Sequence, residues 1–160
     1  MEKDERLFAD IVKRHKSSIY TVCYMFAKDA DEADNLFQEV LINMWKGMDT
    51  FREESKIGTW IWRVSFNTCI SADRKKRRDK TVRLSMDVNM YETHDEESRQ
   101  RKMLHDRIHR LKPFDRAIVM LWLEGLPYDE IGAVVGISVK NVSVRLVRIK
   151  EELKRMKDND

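Results

Sequence analysis

The stretch YDEIGAVVGISVKNVSVRLVRIK, residues 128–150, decides the fold of its half of the chain and points to a class of partner. It reads as two short helices joined by a glycine turn. Tyr128 to Val135 places Ile131, Val134 and Val135 on one apolar face, and Gly136 offers the positive φ that ends such a helix. Ser138 stands where it can cap a second helix, in which Val139, Val142, Leu146 and Ile149 recur every three or four residues and face a core. Lys140, Asn141, Ser143, Val144, Arg145, Val147 and Arg148 take the remaining surface. A small residue, Gly132, the turn glycine four later and Val142 six after that let the two helices cross closely. The pattern is that of a helix-turn-helix, whose second helix enters the major groove of duplex DNA. The competing reading is an ordinary helical hairpin with a solvated basic face.

Outward from this stretch, the 160-residue chain has five glycines, two prolines and long segments of 3.6-residue period, so it reads as all-α. The expected architecture is two small helical domains joined by a flexible linker, the C-terminal one containing the helix-turn-helix. Their bounds are 1–78, a linker over 79–100, and 101–157. In the first domain, residues 7–27 give one helix with an irregularity expected at His15 to Ser18, and Glu32 to Lys46 a second. The loop GMDTFREESK then leads to a third helix over Ile57 to Arg78. Between Asp79 and Ser98 the period dissolves and HDEES adds acid, which reads as linker. Helical spacing resumes at Arg101, and Pro113 opens a further helix in the first-turn position, where its missing amide costs nothing. Gly125 ends that helix.

Net charge is only +3, so a nucleic-acid footprint must come from local clustering. The third helix supplies it, beginning with Trp60, Trp62 and Phe66 and ending RKKRR at Arg74 to Arg78. Five consecutive cations suit a polyanion, and aromatic rings beside a cationic track suit unpaired bases. The plainer reading is a soluble helix end that complements its own C-terminal dipole. Cys23 and Cys69 lie in apolar helical surroundings and read as buried reduced thiols; His105 and His109 form the one metal-like pair, with no carboxylate at ligand spacing. No metal or cofactor is expected. The charged N-terminus and the lack of a run near 20 apolar residues imply no membrane insertion and a cytoplasmic protein.

Several separated motifs together resemble the extracytoplasmic-function class of the bacterial sigma-70 family, over nearly the whole chain. DADEADNLFQEVLINMW resembles the helix that docks on the clamp of the largest polymerase subunit, which implies polymerase-binding roles for Asp34, Gln38, Glu39 and Trp45. FREESKIGTWIWRVSFNTCISADRKKRR resembles the reader of the minus-10 element, implying roles there for Phe51, Ser55, Trp60, Arg63, Asn67, Arg74, Lys75 and Arg77. In that resemblance the Phe51 to Lys56 loop receives a flipped base. LPYDEIGAVVGISVKNVSVRLVRIKEEL resembles the minus-35 reader, with Gly132 where alanine is usual and Ser143 and Val144 where many relatives carry arginine or another polar residue. The implied partners are core RNA polymerase, through its clamp and the flap of its second-largest subunit, promoter DNA, and an anti-sigma factor. The implied function is transcription initiation, by recognising minus-35 duplex and melting the minus-10 element. The resemblance also implies neither the longer N-terminal region nor the third domain of housekeeping relatives.

Two other classes compete. A free-standing helix-turn-helix regulator would dimerise on palindromic half-sites, and nothing in the sequence reads as a dimerisation helix. A nucleotide-processing enzyme would need a phosphate-cradling glycine loop, a nucleophile elbow or a metal set, and the sequence has none of these motifs, so the chain is read as no enzyme. A helical adaptor without DNA contact would leave both basic surfaces idle.

Overall fold

A computed structural model describes residues 4–51, 56–78 and 96–156. The chain divides into two compact units, Met1–Asp87 and Val88–Asp160, and no strand occurs among the described residues.

The first unit packs three helices, α1 (Glu5–Phe26), α2 (Ala30–Gly47) and α3 (Ile57–Arg78), with a 3-10 turn over Met48–Thr50. Asp4 starts α1 by accepting from the amides of Arg6 and Leu7, and Asp29 starts α2 by accepting from that of Glu32. Where an irregularity was expected at His15 to Ser18, α1 runs unbroken. The reason is register. His15 and Ser18 are half-buried in line with Ile11, Ile19 and Val22, so the polar run continues the inward stripe. Ile19, Val22 and Cys23 of α1, Ala33, Leu36, Val40 and Met44 of α2, and Ile61, Phe66 and Cys69 of α3 make the core. Phe26 and Phe66 meet edge to face at 6.2 Å. Full burial of each large side chain stabilises the unit by about 1.5–3 kcal/mol. Both cysteines are buried and reduced.

The second unit contains α4 (Glu96–His109), α5 (Pro113–Leu123), α6 (Tyr128–Val135) and α7 (Val139–Arg155). Helix α4 begins at Glu96, five residues before periodicity alone predicts. EESRQRK lacks apolar spacing, but it is composed mostly of strong helix formers, and propensity carries the backbone where the stripe is silent. Residues 79–95 of the predicted linker lie outside the described residues. Pro113 occupies the first turn of α5 as expected. That helix ends in a Schellman motif: Gly125 takes φ +86°, its amide donates to the Trp122 carbonyl, and the Leu126 amide donates to that of Leu121.

Arg116 is a buried cation, 4% exposed. Its Nη2 donates to the carbonyls of His109 at 2.7 Å and Leu111 at 3.0 Å, which belong to the end of α4 and the turn after it. Those carbonyls carry the negative end of the helix dipole, so the guanidinium satisfies helix-end acceptors and fixes α4 to α5.

Candidate nucleic-acid interface

Helix α6 ends at Gly136, whose φ of +82° turns the chain toward α7. A Cβ on Gly132 would stand 2.5 Å from the Ile137 carbonyl oxygen and 3.6 Å from a Val142 methyl. The turn therefore folds back on α6 at a distance that only glycine permits without a shift. Ser138 caps α7, its Oγ accepting from the Asn141 amide at 3.2 Å. Val142, Leu146 and Ile149 are buried, as the spacing predicts. Val139 is not. It is 51% exposed on the first turn of α7, one turn before Val142, which lies against Gly132 of α6.

The predicted minus-35 residues Lys140, Asn141, Ser143, Val144, Arg145, Val147 and Arg148 are all exposed on α7. They are not equivalent. Arg145 sets Nη1 3.2 Å from Asp115 Oδ1 and its guanidinium 4.7 Å from the centre of the Phe114 ring, so α5 holds it to one side. Lys150 lies over Trp122 at 4.1 Å.

In the first unit, α2 and α3 bound an open groove of ≈ 840 Å³. Its walls include Glu39, Ile42, Lys46, Asn67, Lys75 and Lys76. The structure thus brings together Glu39, predicted for the polymerase, and Asn67 and Lys75, predicted for the minus-10 strand. Asn43 Nδ2 donates to Thr68 Oγ1 at 2.9 Å, and Thr68 Oγ1 to the Val64 carbonyl at 2.7 Å, which ties the two walls. Gln38 and Glu39 are exposed on α2, and Asp34 accepts from the Tyr20 hydroxyl at 3.2 Å. Burial, followed by that bond and charge, raises the Tyr20 pKa.

Trp45 and Phe51 differ from free surface contacts. Trp45 meets Phe8 edge to face at 5.3 Å and helps pack α1 on α2. Phe51 is 6% exposed, with its ring 5.2 Å from that of Trp60. Each is an isolated aromatic, which in sequence looks the same whether the ring faces solvent or a neighbour. Trp60 and Arg63 are half-buried, and Asn67, Arg74 and Lys75 exposed. Ser55 and the side chain of Arg77 lie outside the described residues.

Three residues here escaped sequence reasoning. Ile42 is 52% exposed beside Gln38 and Glu39; the available signal was an apolar side chain off the Leu36, Val40 and Met44 stripe. Glu32 pairs with Lys76 and also accepts from the Lys28 amide at 3.3 Å, joining the start of α2 to the basic end of α3. Arg116 gave no signal, since a lone arginine in an apolar helix does not announce which carbonyls it reaches. In α4, His105 and His109 stack at 6.1 Å. Burial lowers the His105 pKa, as does Arg116 to a smaller degree, against the opposing pull of Asp106. Among the described residues no group of three or more His, Cys, Asp or Glu could hold a metal, and no helix is long and apolar enough to cross a membrane.

Comparison with known proteins bears on both units. Residues 11–79 match the family model for Sigma-70 region 2, and residues 101–153 that for Sigma-70, region 4. The chain is similar to the ECF RNA polymerase sigma factor SigW of Bacillus subtilis, at 28% identity over 95% of this chain and 89% of the relative. It is also similar to the RNA polymerase sigma-H factor of Pseudomonas aeruginosa, at 29% identity over 94% and 86%. Among solved structures, the sigma factor RpoE from Bartonella quintana, in complex with the anti-sigma factor NepR, shares the fold. Its TM-score is 0.72 at 19% identity, over 92% of this chain and 94% of that one.

Proposed function

Because the chain belongs to the bacterial sigma-70 family, in its extracytoplasmic-function class, and is a transcription initiation factor, we propose a division of labour between its two units. The Met1–Asp87 unit binds core RNA polymerase and traps the melted minus-10 strand, and the Val88–Asp160 unit reads minus-35 duplex. The observation that carries this reading is the helix-turn-helix of α6 and α7, with all seven predicted contact residues exposed on α7. A free-standing regulator is not favoured, since it leaves the whole three-helix first unit without a task.

In the first unit, Gln38, Glu39 and Ile42 form the polymerase-facing strip of α2, with the clamp as partner. Trp60, Asn67, Arg74 and Lys75 hold the opened strand, and Phe51 supports Trp60 from behind. A base leaving the stack costs a few kcal/mol, which contacts of this kind must offset. Burial of the Trp60 edge is therefore as useful as its exposure, because a ring held on one side presents a fixed stacking face. In the second unit, Lys140, Asn141 and Arg148 are the polar contacts to base edges or phosphates. Arg145 serves as an oriented phosphate contact, shared with Asp115.

The chain supplies no reaction chemistry of its own, phosphodiester formation being the polymerase's, and it acts in the cytoplasm. An anti-sigma partner is part of the proposal. It draws support from the fold shared with RpoE, which was solved with NepR.

The test separates the two roles. Arg148→Ala should weaken promoter binding by holoenzyme roughly tenfold, within the 1–3 kcal/mol of a base-edge contact, and leave capture of core polymerase unchanged. Gln38→Ala with Glu39→Ala should do the reverse. Equal loss of both properties in either variant contradicts the division.

A further inference from the structure

Two apolar side chains stand on the outer face of α7 where solvent-facing helices carry polar ones. Val144 is 42% exposed and Val147 57%. At 100° per residue, Lys140, Val144 and Val147 all point away from the buried line of Val142, Leu146 and Ile149. Being three residues apart, the two valines adjoin and form one patch. Neither contributes to the core, and valine is a weak helix former, so the free protein gains nothing from either.

The surroundings identify the occupant. Lys140 and Arg148, both exposed, border the patch, Glu151 is exposed one turn past Val147, and Arg145 is drawn off by Asp115 and Phe114, which leaves the centre of the face apolar with a cation before it and another beside it. A lipid or protein partner would need a broader apolar surface than two valines. In the major groove the one apolar group on a base edge is the C5 methyl of thymine, and nearby phosphates match Lys140 and Arg148.

Resting on the minus-35 reading above, we propose that Val144 and Val147 are specificity-determining residues that read thymine methyl groups. The minus-35 element of this protein therefore carries thymine, on either strand, at the positions facing them. Ser143, adjacent and exposed, has the reach to accept or donate beside them but not to replace an apolar contact.

The test uses full-length protein in holoenzyme with bacterial core polymerase. A duplex library randomised upstream of a fixed start region is selected for binding, and each thymine in the enriched element is then replaced by deoxyuridine, which lacks only the methyl. Wild-type holoenzyme should lose about fourfold in affinity per contacted methyl, the equivalent of burying one such group. Val147→Ser or Val144→Ser should bind the thymine duplex more weakly, and bind thymine and deoxyuridine duplexes alike at one defined position each. An enriched element without thymine, or one whose deoxyuridine form binds wild type equally, overturns the methyl readout while the minus-35 role stands. If no sequence is enriched although core polymerase is bound, the minus-35 role itself fails, and this inference with it.

Discussion

Replacing Arg116 with methionine should destabilise the helix-turn-helix unit from a buried position that itself faces no DNA. The guanidinium donates at 2.7 and 3.0 Å to the carbonyls of His109 and Leu111 and is 4% exposed. Bonds involving a charged group contribute about 1.5–3 kcal/mol each, so about 3–6 kcal/mol of interaction is lost. Methionine recovers part of this, because it fills much of the volume and ends the desolvation of a buried charge. It leaves two carbonyls at the end of α4 without the donor. A net loss of about 2–4 kcal/mol follows, to be set against the roughly 4–11 kcal/mol that a unit of this size possesses. Its midpoint should fall by about 10 °C or more. Amide hydrogen exchange, read by peptide, resolves the two units: protection in α5 and α7 should drop by more than tenfold while α1 to α3 stay unchanged. Promoter binding should recover on cooling, since the variant loses fold and not contacts. A change below about 0.5 kcal/mol, or equal loss of protection in both units, would refute the reasoning.

Gly136→Ala should cost about 1–2 kcal/mol through backbone alone, since φ is +82° and its Cβ would meet nothing within 4 Å; urea unfolding of the full chain measures it. Gly132→Ala gains up to about 1 kcal/mol of helix propensity but sets a Cβ 2.5 Å from the Ile137 carbonyl oxygen. It should therefore be destabilising, and a raised unfolding midpoint would contradict the close crossing. His105 has its folded pKa lowered from 6.5, so the unfolded chain binds its proton more readily. Its contribution is complete above pH 6.5 and is lost as pH falls through the lower folded value. His105→Asn should accordingly flatten that part of the fall in α4 and α5 protection, and an unchanged slope would count against it. Glu32→Gln removes an ion pair at the partly exposed Lys76 and should cost no more than about 1 kcal/mol, a loss that shrinks in high salt.

Much of this molecule is legible in its sequence because helical period, glycine placement and capping residues agree with one another. Gly125, Gly136 and Ser138 each do in the structure what their positions imply. The rest is not legible for separate physical reasons. Periodicity tells which side of a helix is apolar but not how far its neighbour extends, so it groups Val139 with Val142, Leu146 and Ile149 although Val139 is 51% exposed on the first turn of α7. The start of α4 was missed because it rests on propensity without an apolar stripe. The packing of Trp45 on Phe8 and of Phe51 on Trp60 is not legible, because an isolated ring has the same signature whether it contacts its own chain or a foreign partner. Arg116 and Glu32 act through contacts with other elements, His109 and Leu111 for one and Lys76 for the other, and such pairings exist only once the chain is folded.

A chain with this architecture should confer promoter specificity on a polymerase that lacks it. The direct measurement is in vitro transcription by purified bacterial core polymerase on a promoter library, with and without the full-length protein, mapping the 5′ ends of the transcripts. The account predicts new, discrete start sites that appear only with the protein, share paired elements near minus 35 and minus 10, and disappear with Gln38→Ala and Glu39→Ala together. Unchanged start sites, from a protein that binds palindromic duplex tightly without polymerase, would contradict it.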